Sequence, residues 1–265
     1  MTRALLWKEW REQRWRCLLG TLVLTAISAS LVRAQLVALP EAVLIIYGPL
    51  GLLLAVFLAM GSVATERADG TWSFLRAQPL ATADILRAKW LLGAACLAFA
   101  FLVAACAAHL AAWSRGLYDL TPPPAYVWAR TALPPLRWML GNSAAAMWTV
   151  VGLSLTSMLA WYTVLFVILT RARDELHAGL GGILLTLASL AWLLQYPASR
   201  VDVGWGDATR VNLFWTSVLC NPLSPVVFVW ESAESRAVAV GVALLVWTAG
   251  PLWLVGRLER AGRLS

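Results

Sequence analysis

With 265 residues, 60% of them hydrophobic and only 13% charged, and a mean hydropathy of +0.72, the chain is far more apolar than a soluble domain, where about a quarter of residues carry charge. That composition excludes an ordinary water-soluble fold. It predicts an all-α polytopic membrane protein, because backbone groups in hydrocarbon must pair within their own segment. The net charge of +7 and the pI near 9.7 do not imply nucleic acid as a partner, since Arg is spread over the loops as membrane orientation requires.

Residues 1–16 are expected to form an amphipathic interfacial helix on the cytoplasmic surface, the other reading being the basic, aromatic flank of the first span. On a helical wheel Leu6, Trp7 and Trp10 share one face, and Lys8, Glu9, Glu12 and Arg16 lie opposite. Arg14 falls on the apolar side and would snorkel toward headgroups, with Trp at headgroup depth and Arg against anionic lipid. Residues 17–265 then make a six-helix transmembrane domain. The first span, 17–39, carries Arg33 near its outer end, and Pro40-Glu41 breaks the chain before the second, 42–64, which Gly48-Pro49 should bend. A charged loop, 64–91, leads to the third span, 90–113.

An outer segment, 115–143, interleaves Pro122-Pro123-Pro124 and Pro134-Pro135 with Tyr126, Trp128 and Trp138. The fourth span, 144–170, is followed by the tight charged turn Arg171-Ala172-Arg173-Asp174-Glu175. The fifth, 176–196, starts with small residues that permit close helix contact. A second outer segment, 197–236, holds two apolar pieces around Asn221-Pro222-Leu223-Ser224-Pro225, and the sixth span is 237–256. Lys and Arg concentrate in the N-terminus, the second and fourth loops and the tail, so both termini and the 64–91 loop should be cytoplasmic.

Chemistry is conspicuous by what the sequence lacks. Neither lysine, Lys8 or Lys89, follows a Gly-rich loop, so no P-loop can form and any ATP must bind a partner subunit. No HExxH or GxSxG occurs, and the chain is not expected to be an enzyme or to bind a cofactor or metal. Cys17, Cys96, Cys106 and Cys220 form no CxxC pair; His109 with Cys106 falls short of a metal site; His177 beside Asp174 and Glu175 is expected at an interface. No span has a carboxylate at its centre, which disfavours an ion-coupled carrier. The sixteen Trp residues lie mostly at span ends and in outer loops as interfacial anchors, while Trp148, Trp161, Trp192 and Trp247 fall within spans.

The loop ATERADGTWSFLRAQPLATADILRAKWLL has an internal plan. Glu66-Arg67 open it, Gly70-Thr71 follow, and a short run, Trp72-Ser73-Phe74-Leu75, stops near Pro79; Thr82 and Asp84 suit the start of the next helix. The ordered set Glu66-Arg67, Gly70-Thr71, Leu75, Pro79-Leu80, Ile85 and Lys89 resembles the first cytoplasmic loop of ABC-2 type transporter permeases. The resemblance implies a coupling helix, about Thr71–Gln78, that docks on a separate ABC ATPase subunit. Glu66 and Arg67 would fix the loop, Gly70 would allow the turn, and Thr71, Trp72, Phe74, Leu75 and Pro79 would build the docking element. It further implies a bacterial cytoplasmic (inner) membrane, a second permease copy or related permease as partner, and export as the direction. Arg171, Arg173 and Asp174 are a candidate second contact. The other reading is a membrane scaffold or assembly factor that docks a cytoplasmic partner and transports nothing; a lipid-modifying enzyme and a secondary carrier rank below both.

Overall fold

The computed structural model describes residues 3–34, 46–71, 82–118, 144–170, 172, 174–200 and positions 241, 242, 244, 245 and 249. Among the described residues the chain is helical throughout, with no strand. Helix α1 is Arg3–Ala34. A π-helical turn, Ile46–Leu50, leads into α2, Gly51–Ala68. Helices α3 (Thr82–Ser114), α4 (Ala144–Leu169) and α5 (Glu175–Arg200) follow. Among the described residues, three stretches are long and apolar enough to cross a membrane: Leu5–Ala34, Asp84–Ser114 and Met147–Leu169. The apolar helices Gly48–Gly61 and Glu175–Ala191 are shorter. The expected sixth span, 237–256, falls almost wholly outside the described residues, as do most of 115–143 and 197–236.

Local sequence explains the ends of these elements. Pro49 has no N–H to give an α-helical ladder, and the wider turn at Ile46–Leu50 accommodates it where a bend was expected. Helix α2 ends at Ala68, and Gly70 follows with φ of 70°, the left-handed conformation in which a helix commonly terminates. Helix α3 begins at Thr82 with Asp84 in its positively polarised first turn, eight residues before the expected span.

Helix α1 is a single helix of 32 residues, about 48 Å at 1.5 Å per residue, and runs from the expected interfacial segment into the first span without a break. It contains no proline and a single glycine, Gly20, against which Leu54 of α2 packs directly. The helix exceeds the roughly 30 Å of a bilayer's hydrocarbon core, so one end must stand clear of it.

Contacts fix the direction of each helix. Along α1 and α3 they advance together, from Leu5 with Ile85 and Ala88 to Glu9 with Lys89, so these two run parallel. Helix α2 opposes α3, as Glu66 meets Lys89 and Gly51 meets Phe101. Helix α4 also opposes α3, with Trp90 bonded to Thr163 and His109 stacked near Trp148. Helix α5 opposes α2, as Gly182 meets Val56 and Thr65 meets Glu175. The start of α1, end of α2, start of α3, end of α4 and start of α5 therefore share one end of the bundle. The core is built on α3, where Ala100, Ala104, Ala108 and Ala112, each fully buried, recur every fourth residue and let neighbouring helices approach closely.

Candidate functional site

The shared end of the bundle holds a network of buried charge. Lys89, in the second turn of α3, is 1% exposed, and its ammonium donates to Glu9 Oε2 at 2.7 Å. It also lies 2.9 Å from Glu66 Oε1 in the last turn of α2. Lys8 approaches the same Glu66 oxygen from α1 at 2.7 Å, and reaches Glu12 at 3.1 Å and Glu9 at 3.4 Å. Two ammoniums thus hold three carboxylates. Lys8 is partly exposed, whereas Glu9, Glu66 and Lys89 are buried. Ions removed from water in this way are costly unless their geometry is good, and loss of any one strands its partner.

Glu9, expected on the polar face of α1, is fully buried, while Trp7, expected on the apolar face at headgroup depth, is 67% exposed. Glu9 and Arg16 turn inward, where Lys89 and Glu175 supply the opposite charge. The outward side of α1 carries Trp7, Trp15 and Leu18 together with Arg11 and Arg14.

Carboxylate oxygens of Glu9, Glu12 and Glu66 lie within 4.8 Å of one another, close enough to hold a metal ion. The ammonium of Lys8 contacts all three, so the chain supplies its own cation there.

A second tie lies one to two turns deeper. Arg16 donates to Glu175 Oε1 at 2.6 Å, and the Thr65 hydroxyl donates to the same oxygen. The guanidinium lies 5.5 Å from the Phe57 ring centre and fills the space over Gly61, where a Cβ would come within 0.9 Å of Nη1. Helices α1, α2 and α5 are joined through this one arginine.

Of the residues singled out from sequence, Glu66 lies in the network. The Thr71 hydroxyl donates to the Glu66 carbonyl at 3.2 Å, and Gly70 makes the turn between them. Arg67 lies on α2, but its side chain is outside the described residues. So are Trp72, Phe74, Leu75, Pro79, Arg171 and Arg173. Asp174 caps α5: its carboxylate accepts the His177 backbone N–H at 2.9 Å and faces the His177 ring at 2.8 Å. That backbone N–H, with the ring behind it, holds the Asp174 carboxyl below the usual carboxylate range.

Glu9, Arg16 and Glu175 were missed as site residues, and Lys89 was read only as part of the loop's pattern. A signal was present in the polar series Glu9, Gln13, Arg16, which recurs on one side of the helix.

The remaining candidates have local partners. At the opposite end His109 Nδ1 lies 2.6 Å from the Tyr118 hydroxyl, and Cys106 is exposed. Trp161 is buried and donates to the Thr186 hydroxyl at 3.0 Å. No family model matches this chain, and no curated protein does.

Proposed function

We propose that this protein is the membrane permease subunit of an ATP-driven exporter, coupled to a separate ATPase through the loop between α2 and α3. The observation that carries the reading is the Glu66–Lys89 ion pair, 2.9 Å across the two feet of that loop and buried against α1. A docking element transmits force only if its base is stiff. Here the feet are tied to each other and, through Glu9 and Lys8, to a third helix. The membrane-length helices and the resemblance of Glu66 through Lys89 to an ABC-2 permease loop support the same reading.

In this account six spans cross a bacterial cytoplasmic membrane with both termini inside. Two permease subunits pair, and two ATPase subunits dock beneath them. ATP binding draws the ATPases together and displaces the docking segment, where Trp72, Phe74 and Leu75 supply the contact surface. Because both feet belong to one network, the displacement reaches α1, α2 and α3 together and opens a path between the permease halves. Asp174, which sets the start of α5, belongs with Arg171 and Arg173 to a smaller second contact.

The test is ATP hydrolysis by the partner in lipid vesicles, with and without this chain. Changing Trp72 and Leu75 together to Asp should abolish docking and stimulation while the protein still inserts. Docking that survives this double change would overturn the assignment. A partner that binds but hydrolyses no ATP would favour the scaffold reading.

A further inference from the structure

The outer side of α1 carries a pattern that the charge network leaves unused. Trp7, Arg11, Arg14, Trp15, Leu18 and Leu22 recur at three- and four-residue spacing and share one face, opposite Glu9, Gln13 and Cys17. All six are exposed. Among the described residues no carboxylate pairs with Arg11 or Arg14; the neighbouring acid, Glu12, is taken by Lys8 at 3.1 Å. The Arg14 guanidinium lies 5.6 Å from the Trp15 ring centre.

Depth decides what meets this face. Leu18, Leu19, Leu22 and Val23 are exposed and apolar, in a helix long enough to span a membrane, so they mark where the acyl chains begin. Arg14 and Arg11 precede Leu18 by four and seven residues, about 6 and 10 Å along the axis, which sets Arg14 within a headgroup layer of about 5–7 Å and Arg11 at its outer edge. Two guanidiniums without a carboxylate partner among the described residues are thus set beside Trp at the boundary, directly above an exposed apolar strip.

We propose that Arg11, Arg14, Trp7 and Trp15 form a binding site for the phosphate group of an anionic phospholipid, whose acyl chains run along Leu18 and Leu22. Arginine suits the task because its planar fork pairs with phosphate oxygens through two bonds at once. A soluble acidic protein would match the arginines and leave the adjoining leucines uncovered. The site is independent of the ATPase-docking reading and needs only that α1 meets a bilayer.

The experiment is native mass spectrometry of the full chain in detergent, titrated separately with phosphatidylglycerol and phosphatidylcholine. Phosphatidylglycerol should bind more tightly, by about fivefold for each arginine. Arg11→Gln/Arg14→Gln should erase the preference, and a millimolar excess of inorganic phosphate should not. Equal affinity for the two lipids in the wild type, or an unchanged preference in the Gln variant, would overturn the site. If that variant fails to fold, Arg11→Lys/Arg14→Lys replaces it: weaker but still selective binding is expected, and wild-type affinity would overturn the role given to the guanidinium fork. Competition by phosphate alone would reassign the arginines to a free anion and overturn the lipid proposal as well.

Discussion

Replacing Lys89 with Met keeps the length and apolar stem of the side chain and removes only its charge. Glu66 loses its 2.9 Å contact but keeps Lys8 at 2.7 Å. Glu9 loses its 2.7 Å partner and keeps only Lys8 at 3.4 Å, in a position without access to water. Removing one member of a buried pair costs about 3–5 kcal/mol, and the residual Lys8 contact places Lys89→Met near the lower limit, at about 3 kcal/mol. For a protein of this size that corresponds to a fall in Tm of roughly 6–12 °C. Glu9→Gln/Lys89→Met removes both charges and strands neither, so it should lie within about 1 kcal/mol of wild type. Thermal unfolding of all four proteins of the cycle in one detergent reads the coupling directly. A single variant that melts within about 1 °C of wild type, or a double variant as unstable as the singles summed, would refute the burial argument.

Gly61→Ala should act through Arg16, whose guanidinium occupies the space the new methyl needs. A loss of about 1–3 kcal/mol is expected, and it should largely vanish in an Arg16→Ala background, as measured by the same unfolding cycle. Asp174→Ala should increase amide exchange at the start of α5, because the cap on His177 N–H is lost. The Asp174 pKa is depressed in the fold, so its contribution is complete above the ordinary Asp value and is lost as pH falls through the depressed one. The exchange difference between wild type and variant should therefore shrink only in strong acid; a constant difference across pH would contradict a charge-based cap. Cys17 of α1 and Cys96 of α3 are both free and buried in the same core cluster. A membrane-permeant oxidant should join their peptides in mass spectra, and persistent separation would contradict the parallel packing of α1 and α3.

Much of the fold was readable from residue chemistry alone. Among the described residues, apolar length marked helices that α1 to α5 occupy, Gly48-Pro49 marked a backbone irregularity, and Thr82 with Asp84 marked the start of α3. The orientation of α1 was not readable. A helical wheel separates two faces but does not say which is inside, and the usual rule assumes water on the polar side. For α1 the answer depended on Glu66, 58 residues from Lys8, and on Lys89, 80 residues from Glu9. The Arg16–Glu175 tie spans 159 residues and depends on the missing side chain of Gly61, which only packing reveals. The loop that the sequence singled out is now described at its feet, Glu66 and Lys89, where the network resides.

The central claim is that this loop docks an ATP-hydrolysing partner. Its most direct test is purification of the tagged full chain from its own membrane in mild detergent, with mass spectrometry of what accompanies it. The account predicts a P-loop ATPase at about one copy per chain, lost when Trp72 and Leu75 are changed to Asp. A chain recovered alone, or with a partner that has no P-loop, would contradict it.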